Sequence, residues 1–339
     1  MSKTTVSAPA NIAFIKYWGA RDLARALPMN PSISMTLKAC VSRCTVEVTG
    51  ADHDEVWLSE PDGGFTHPGA DFVRRVVEQL DHLRAWSGRG EHFRVATRNT
   101  FPSSAGLASS ASGFSALTLA TVGALGKTAT TPPAELSRLA RRSGSGSAAR
   151  SVLGGYVGWP AGTLDEAAEE EGSYAVQLAP ASHWDLRDVI AVVETGAKTV
   201  SSRDGHRRAA TSPYYERRLE LLPGRLDVVR RALAAADLTL LGPTLEEEAI
   251  DLHLIAMSSH PPIFYWSPGT LEVLRTVREL RQEGLAAWAT MDAGANVHVI
   301  CDPAAEPAVA ERLESLPAVG FVIRDGVGDG PVYETGHLF

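Results

Sequence analysis

A chain of 339 residues, 44% hydrophobic and 21% charged, holds enough apolar material for a sizeable core and enough length for two ordinary domains. Its formal net charge of −8 argues against an extended nucleic-acid footprint, and no apolar stretch approaches the roughly 20 residues of a membrane helix. Three cysteines without a CxxC pair form neither a disulfide framework nor a zinc knuckle, and the ten histidines show no HExxH spacing.

The N-terminus, MSKTTVSAPANIAFIKYWG, starts polar and lacks an apolar core with a small-residue cleavage site, so a cytoplasmic protein with no membrane partner is expected. CTVEVT (44–49) has strand character, and Asp52-His53-Asp54 reads as a turn rather than a metal site. Apolar residues at helical intervals predict a helix over 70–86, followed by a strand over 92–98. FPSSAGLASSASG (101–113) is a Gly/Ser/Ala-rich loop feeding the helical FSALTLATVGAL. Its tail GALGKT (123–128) imitates a Walker A motif, but the first required Gly is Thr121 and the segment ends a helix. GSGSAA (144–149) satisfies GxGxxA yet follows a basic helical pattern instead of a buried strand.

Strands are predicted at 156–160, 189–194 and 296–302, and helices at 212–237 and 268–284, the last stopping at a Gly. The acidic stretch 163–185 separates two halves of mixed helix and strand, so the expected class is α+β, with domains at 1–185 and 186–339. The recurrent Arg pairs, among them Arg141-Arg142, Arg207-Arg208 and Arg217-Arg218, read mostly as solvated helix faces.

Two separate turns, Ser103 to Gly113 and Ser143 to Ser151, supply small residues whose N–H groups and hydroxyls can approach an anion. Each alone is also explained as a tight helix-opening turn with a Ser cap. Together they suggest two phosphorylated ligands.

PANIAFIKYWGARD (9–22), LPMNPSISMTL (27–37), NTFPSSAGLASSASGFSALTLA (99–120), SGSGSAARSVLGGYVGW (143–159), KTVSSRDGH (198–206), PPIFYW (261–266) and MDAGANVHV (291–299) together resemble the ordered motif set of the mevalonate diphosphate decarboxylases. These are members of the small-molecule kinase superfamily of galactokinase, homoserine kinase, mevalonate kinase and phosphomevalonate kinase. The resemblance spans nearly the whole chain. It implies a two-domain GHMP-kinase-like fold with an N-terminal ribosomal-protein-S5-like domain, a C-terminal ferredoxin-like domain and a cleft between them, in a homodimer. It also implies ATP and Mg2+ as cofactors and a 5-phosphorylated mevalonate as substrate: the 3-hydroxyl is phosphorylated, phosphate leaves, and the carboxylate departs as CO2.

By the same resemblance, Ser103, Ser104, Ala105, Gly106, Leu107, Ala108, Ser109 and Ser110 wrap the ATP phosphates, with the Ser110 hydroxyl nearest the γ-phosphate or Mg2+. Asp292 matches the acidic catalytic residue, with an Asx turn before Gly294 as the structural alternative. Lys16 matches the cation that keeps this carboxylate ionised, the alternative being a solvated lysine at a strand end. Arg150 matches the arginine that grips the substrate carboxylate with a planar fork. Ser145 and Ser147 donate to the substrate phosphate, and Ser202 and Arg203 extend that site. Tyr17, Trp18, Trp159 and Trp266 are expected as core or cleft-wall aromatics.

Two departures bear on the substrate. Relatives that act on the diphosphate usually read IKYWGK, where this chain has Ala20, and usually carry Met where it has His206. Placed in one pocket, a lost cation and a gained hydrogen-bonding, titratable group favour mevalonate 5-phosphate giving isopentenyl phosphate. The alternative is the 5-diphosphate giving isopentenyl diphosphate, with Arg21 or Arg203 replacing the lost charge. A kinase stopping at 3-phosphorylation is a further alternative, which the joint presence of Asp292, Lys16 and Arg150 disfavours.

Overall fold

The structure, a computed structural model, describes residues 2–102, 109–161, 171–196 and 199–339. Its first sheet contains β1 (Lys3–Ile15), β4 (Ser32–Thr49), β5 (Glu55–Ser59), β6 (Phe65–Thr66), β7 (His92–Asn99), β8 (Tyr156–Trp159), β9 (Val176–Ala179) and β14 (Val332–Glu334). The short pair β2 (Ala20–Asp22) and β3 (Leu27–Pro28) stands apart from it. β4 is the spine. One edge pairs antiparallel with β1 from Lys3↔Glu47 to Ile15↔Ile33. Its other edge is divided, residues 42–49 pairing with β7 and residues 32–35 with β8. β14 returns from the end of the chain to pair with β1, so this sheet draws on both ends of the sequence.

α1 (Ala70–Ser87) and α2 (Ser109–Ala124) cover one face of this sheet, with Val76 and Leu80 of α1 and Phe114 and Leu117 of α2 packing on Val46, Phe93 and Val95. α2 is buried on nearly every side, which explains its run of small and apolar residues without an amphipathic stripe. α3 (Pro133–Arg141) follows.

The second sheet has the order β11 (Ala287–Thr290), β12 (Val297–Cys301), β10 (Arg187–Val192), β13 (Phe321–Gly326), all antiparallel. With α4 (Ser202–Arg208), α5 (Tyr215–Ala235), α6 (Leu238–Ser258) and α7 (Pro268–Gln282) between β10 and β11, and α8 (Glu306–Glu314) between β12 and β13, the connectivity is the expected ferredoxin-like β-α-β-β-α-β. α7 and α8 supply Val273, Val277, Val309 and Leu313 to one face. Leu222 and Leu226 of α5 and Leu241 and Leu245 of α6 join a core shared by both sheets, which includes Ile12, Phe14, Ile33 and Ile190. The two sheets are therefore locked through α5 and α6.

Three elements differ from expectation. The strand seen at 44–49 is the end of an 18-residue strand, whose first half was hidden by its pairing with the small-residue strand β1. β10 stops at Val192 because the N–H groups of Val193 and Glu194 turn to Asn296 Oδ1 instead. α6 falls in a stretch for which no element was predicted. Glycine is required there for close approach: a Cβ on Gly242 would stand 2.2 Å from the Trp288 ring. No helix among the described residues is long and apolar enough to cross a membrane.

Candidate active site

β1 ends at Ile15, so the backbone of Lys16 leaves the ladder and needs other partners. Its N–H donates to Glu248 Oε2 at 3.1 Å, and its C=O accepts from Asn30 Nδ2 at 2.9 Å and Arg218 Nη2 at 2.8 Å. The side chain runs inward and Nζ reaches Asp292 Oδ1 at 2.8 Å. Lys16 is 1% exposed, while Asp292 keeps 28% of its side chain open to the cleft. Lys16 is therefore not the solvated strand-end lysine of the alternative reading. The alternative for Asp292 fails too: the turn at Gly294 is made by the Asp292 carbonyl, leaving its carboxylate to Lys16.

Burial pulls the Lys16 pKa below the usual lysine range, partly offset by the charges of Asp292 and Glu248. Burial pushes the Asp292 carboxyl upward, but the charge and hydrogen bond of Lys16 outweigh it and the net shift is downward. Asp292 is therefore ionised at neutral pH.

Arg150 closes a 3-10 turn, Gly146–Ala149, and is 1% exposed. Its Nε and Nη2 donate to Asn11 Oδ1 at 3.2 and 2.9 Å, and Nη1 donates to Ser32 Oγ at 2.5 Å. Burial pushes its pKa down to about 10, which still leaves it protonated at neutral pH. Among the described residues no carboxylate lies within ion-pair distance of it, although it faces the same cavity as Lys16 and Asp292. Buried arginines are normally paired. This one lines the cavity with Asn11 and Ser32 as its hydrogen-bond partners.

That cavity has a volume of about 790 Å3. Ser145 and Ser147 line it, and Ser145 Oγ lies 3.1 Å from Ser110 Oγ, joining the two Ser-rich turns. Gly146 between them is required by packing: a Cβ there would stand 2.7 Å from the Tyr17 ring. Tyr17 is buried edge-on against Trp159, and its other side meets His206, with ring centroids 4.9 and 4.0 Å away; Trp18 is buried beside them. Ser202 and Arg203 of α4 line the opposite wall, with Arg203 overhanging the turn at Gly144.

His206 and Ala20 behave differently from expectation. His206 lines the cavity, but its Nδ1 accepts the Gly19 N–H at 3.0 Å, which leaves the proton on Nε2. Burial and the Arg218 charge push its pKa down to about 3, so it is a neutral donor and does not titrate near pH 7. Ala20 pairs with Pro28 in the β2–β3 ribbon and is not among the cavity-lining residues. The two therefore do not share one lining, as the sequence reading assumed. Arg21 likewise is tied to the carbonyls of Pro28 and Ala161 and does not line the cavity, whereas Arg203 does.

Ser103, Ser104, Ala105, Gly106, Leu107 and Ala108 lie outside the described residues. Ser109 and Ser110 line both the large cavity and an adjoining one of about 520 Å3. The second cavity is walled by Leu58, Ser59, Pro68, Phe72 and Phe114, with Arg75 at the junction, its guanidinium 4.7 Å from the Phe114 ring centroid. Sequence reading missed this cavity and the Arg74-Arg75 pair of α1, both of which face the large cavity. The available signal was an Arg pair embedded in the apolar run FVRRVV. It also missed Arg218 and Arg141, which are fully buried and depart from the solvated faces expected for the Arg pairs.

Lys16, Arg74, Arg75, Arg150, Arg203 and Arg207 line the large cavity against Asp71, Asp204 and Asp292. The excess of cations suits a ligand carrying several negative charges. An adjoining, more apolar chamber suits a ligand with a flat or apolar end.

Comparison with known proteins gives the same picture. Residues 8–174 match the family model of the diphosphomevalonate decarboxylase-like N-terminal domain, and residues 188–320 match that of the mevalonate 5-diphosphate decarboxylase C-terminal domain. The chain is 35% identical over 328 residues to the diphosphomevalonate decarboxylase of Candida albicans, covering 92% of this chain and 88% of that protein. It is 35% identical over 314 residues to that of Saccharomyces cerevisiae, covering 86% and 76%. Among solved structures it resembles mevalonate diphosphate decarboxylase from Staphylococcus aureus, with TM-score 0.89, 31% identity and 98% of each chain covered. It also resembles "MDDEF in complex with MVAPP, AMPPCP and Magnesium", with TM-score 0.87, 34% identity and 98% and 99% covered. The two-domain GHMP-kinase-like α+β fold is thereby shared.

Proposed function

Because the chain belongs to the diphosphomevalonate decarboxylase family, whose members are ATP-dependent carboxy-lyases, we propose that it converts mevalonate 5-diphosphate, ATP-dependently, to isopentenyl diphosphate, ADP, phosphate and CO2. The relatives reported above carry the diphosphate in their names, and a structural neighbour holds MVAPP, AMPPCP and magnesium together. The observation that carries the reading is the Lys16–Asp292 pair at 2.8 Å in one cavity with Arg150, a buried cation without a carboxylate partner among the described residues.

In this reading the carboxylate of Asp292 orients the 3-hydroxyl and takes its proton as the new O–P bond forms. A carboxylate paired with lysine is a weak base, which suffices where catalysis rests on positioning and charge. Lys16 keeps Asp292 ionised and offsets negative charge at the reacting oxygen. Arg150 holds the substrate carboxylate while the C3–O bond breaks, phosphate leaves with its electron pair, and the C1–C2 electrons become the alkene. Tyr17, Ser145, Ser147, Ser202, Arg203 and His206 surround the 5-phosphate end.

Ser103 to Ser110 hold the nucleotide phosphates, and the 520 Å3 chamber takes the base. Among the described residues no group of three His, Cys, Asp or Glu could hold a metal alone. The Ser110 hydroxyl fits Mg2+, an ion held by one or two protein oxygens together with nucleotide phosphates. When bound it neutralises charge on those phosphates. Residues 1–185 then form the ATP-binding half and 186–339 supply Asp292 and α4, in a homodimer that light scattering can check.

A second reading, mevalonate 5-phosphate, rests on His206, a neutral donor in the cavity wall; Ala20, outside the cavity lining, lends it no support. Measuring kcat/KM for the two substrates side by side decides between them. A higher value for the diphosphate supports the main reading; a higher value for the monophosphate replaces it.

A further inference from the structure

α6 touches both members of the Lys16–Asp292 pair, and it does so through their backbones. Glu248, wholly buried, accepts the Lys16 N–H at 3.1 Å on Oε2, and the same oxygen takes Arg218 Nη2 at 2.8 Å. Arg218, also buried, donates from Nη2 to the Lys16 C=O at 2.8 Å. Arg225 completes Glu248 from the other side, at 2.6 Å to Oε1. About one and a half turns further along α6, buried His253 donates Nε2–H to the Asp292 C=O at 3.1 Å.

A buried ion pair is weak support for stability, because desolvation consumes most of its Coulomb gain. Here it does something more specific. A lysine ammonium sits on a flexible four-carbon stem, so its position is defined only as well as its root is fixed. Lys16 and Asp292 come from opposite halves of the fold, and a single helix fixes both roots. We propose that Glu248, with Arg218 and His253, is the positioning frame that sets the Lys16–Asp292 geometry for phosphoryl transfer. The proposal rests on the roles assigned to Lys16 and Asp292 above.

The charged groups facing Lys16 are Asp292 from the β11–β12 loop, Glu248 from α6, Arg218 from α5, Arg150 from the turn before β8 and, more distantly, Asp188 of β10. Glu248 raises the Lys16 pKa, so removing its charge lowers that pKa further. The protonated form of Lys16 is then lost at lower pH as pH rises.

The test is the full chain assayed with ATP, Mg2+ and mevalonate 5-diphosphate. In Glu248→Gln, kcat should fall at least about tenfold with KM for ATP within about twofold, since small misplacement of reacting groups costs rate up to about a hundredfold. The alkaline limb of its kcat profile should move to lower pH. Because a lone buried Arg218 can unfold the chain, Arg218→Met with Glu248→Met is made alongside, removing both charges together. It should also lose at least about tenfold in kcat while melting cooperatively. Folded variants with wild-type kcat and an unmoved alkaline limb overturn the proposal, as does a loss shared equally by kcat and KM without a limb shift. Asp292→Asn run in parallel separates the two levels. If it keeps activity, the reading of the pair and the frame both fall; if it is inactive while the Glu248 variants match wild type, only the frame falls.

Discussion

Replacing Asp292 by Asn removes one charge and changes almost nothing in shape, so it isolates what the carboxylate does. Two effects are expected. The first is catalytic: loss of a group that orients the hydroxyl and accepts its proton costs about a hundredfold to ten-thousandfold in kcat. The second is structural. Lys16 is 1% exposed and would lose its 2.8 Å partner, keeping more distant charges such as Glu248 and Asp188. Breaking a buried pair costs about 3–5 kcal/mol, but Asp292 keeps 28% of its side chain open to cleft water, so about 2–3 kcal/mol is the appropriate scale. With an unfolding entropy of about 2.1 cal/mol/K per residue, that corresponds to a Tm lower by about 3–4 °C. Nucleotide affinity should hardly change, since no group near Ser109 and Ser110 is altered. Steady-state release of ADP and CO2, a nucleotide titration and a thermal melt read the three quantities. A variant with kcat within about threefold of wild type would refute the reasoning, because the carboxylate bonded to Lys16 Nζ would then be dispensable.

Arg150→Lys keeps a charge but loses the fork that Asn11 and Ser32 hold in place, so CO2 release should fall about tenfold to a hundredfold while nucleotide affinity changes less. Equal small losses in both would place Arg150 outside the substrate site. His206, held neutral with its pKa near 3, should contribute no limb to the pH–rate profile between pH 5 and 8, and His206→Met should leave the profile's shape unchanged. A limb near pH 6.5 that vanishes in the variant would show that the imidazole titrates. Cys40, Cys44 and Cys301 are all buried and burial pushes each thiol pKa up, that of Cys301 to about 12. A thiol reagent should therefore modify none of them in the native protein and all of them after unfolding; rapid labelling before unfolding would contradict this.

Much of the site was legible because its chemistry is carried by short motifs. Asp292, Lys16 and Arg150 were picked out from separate segments, and the fold brings all three to one cavity. In sequence, Tyr17 and Trp159 read only as core or cleft-wall aromatics; that they pack on each other, with Tyr17 lining the cavity, comes from the structure. What stayed hidden depends on contacts between distant segments. Arg218 and Glu248 look like ordinary charged helix residues, and only the meeting of α5, α6 and the end of β1 buries them together. Arg75 reads as a surface residue until α1 is seen to lie over Phe114. His206 was correctly placed in the cleft but wrongly taken as titratable, because the burial and the Arg218 charge that hold it neutral come from segments that meet only in the fold. Ala20 was misplaced for a similar reason: the chain turns at Gly19, where φ is 88° and a Cβ would overlap the Tyr215 hydroxyl, and this directs residue 20 into the β2–β3 ribbon.

The central claim is that phosphoryl transfer and loss of CO2 occur together in one site. It is tested most directly by incubating the wild-type chain with ATP, Mg2+ and mevalonate 5-diphosphate and following ADP, inorganic phosphate and CO2 separately over the same time course. The three should appear at the same rate and in equal amounts, with none of them formed when either substrate is omitted. ADP accumulating with neither phosphate nor CO2 would identify a kinase that stops at the 3-phosphate, and would contradict the role given to Arg150 and the decarboxylation step.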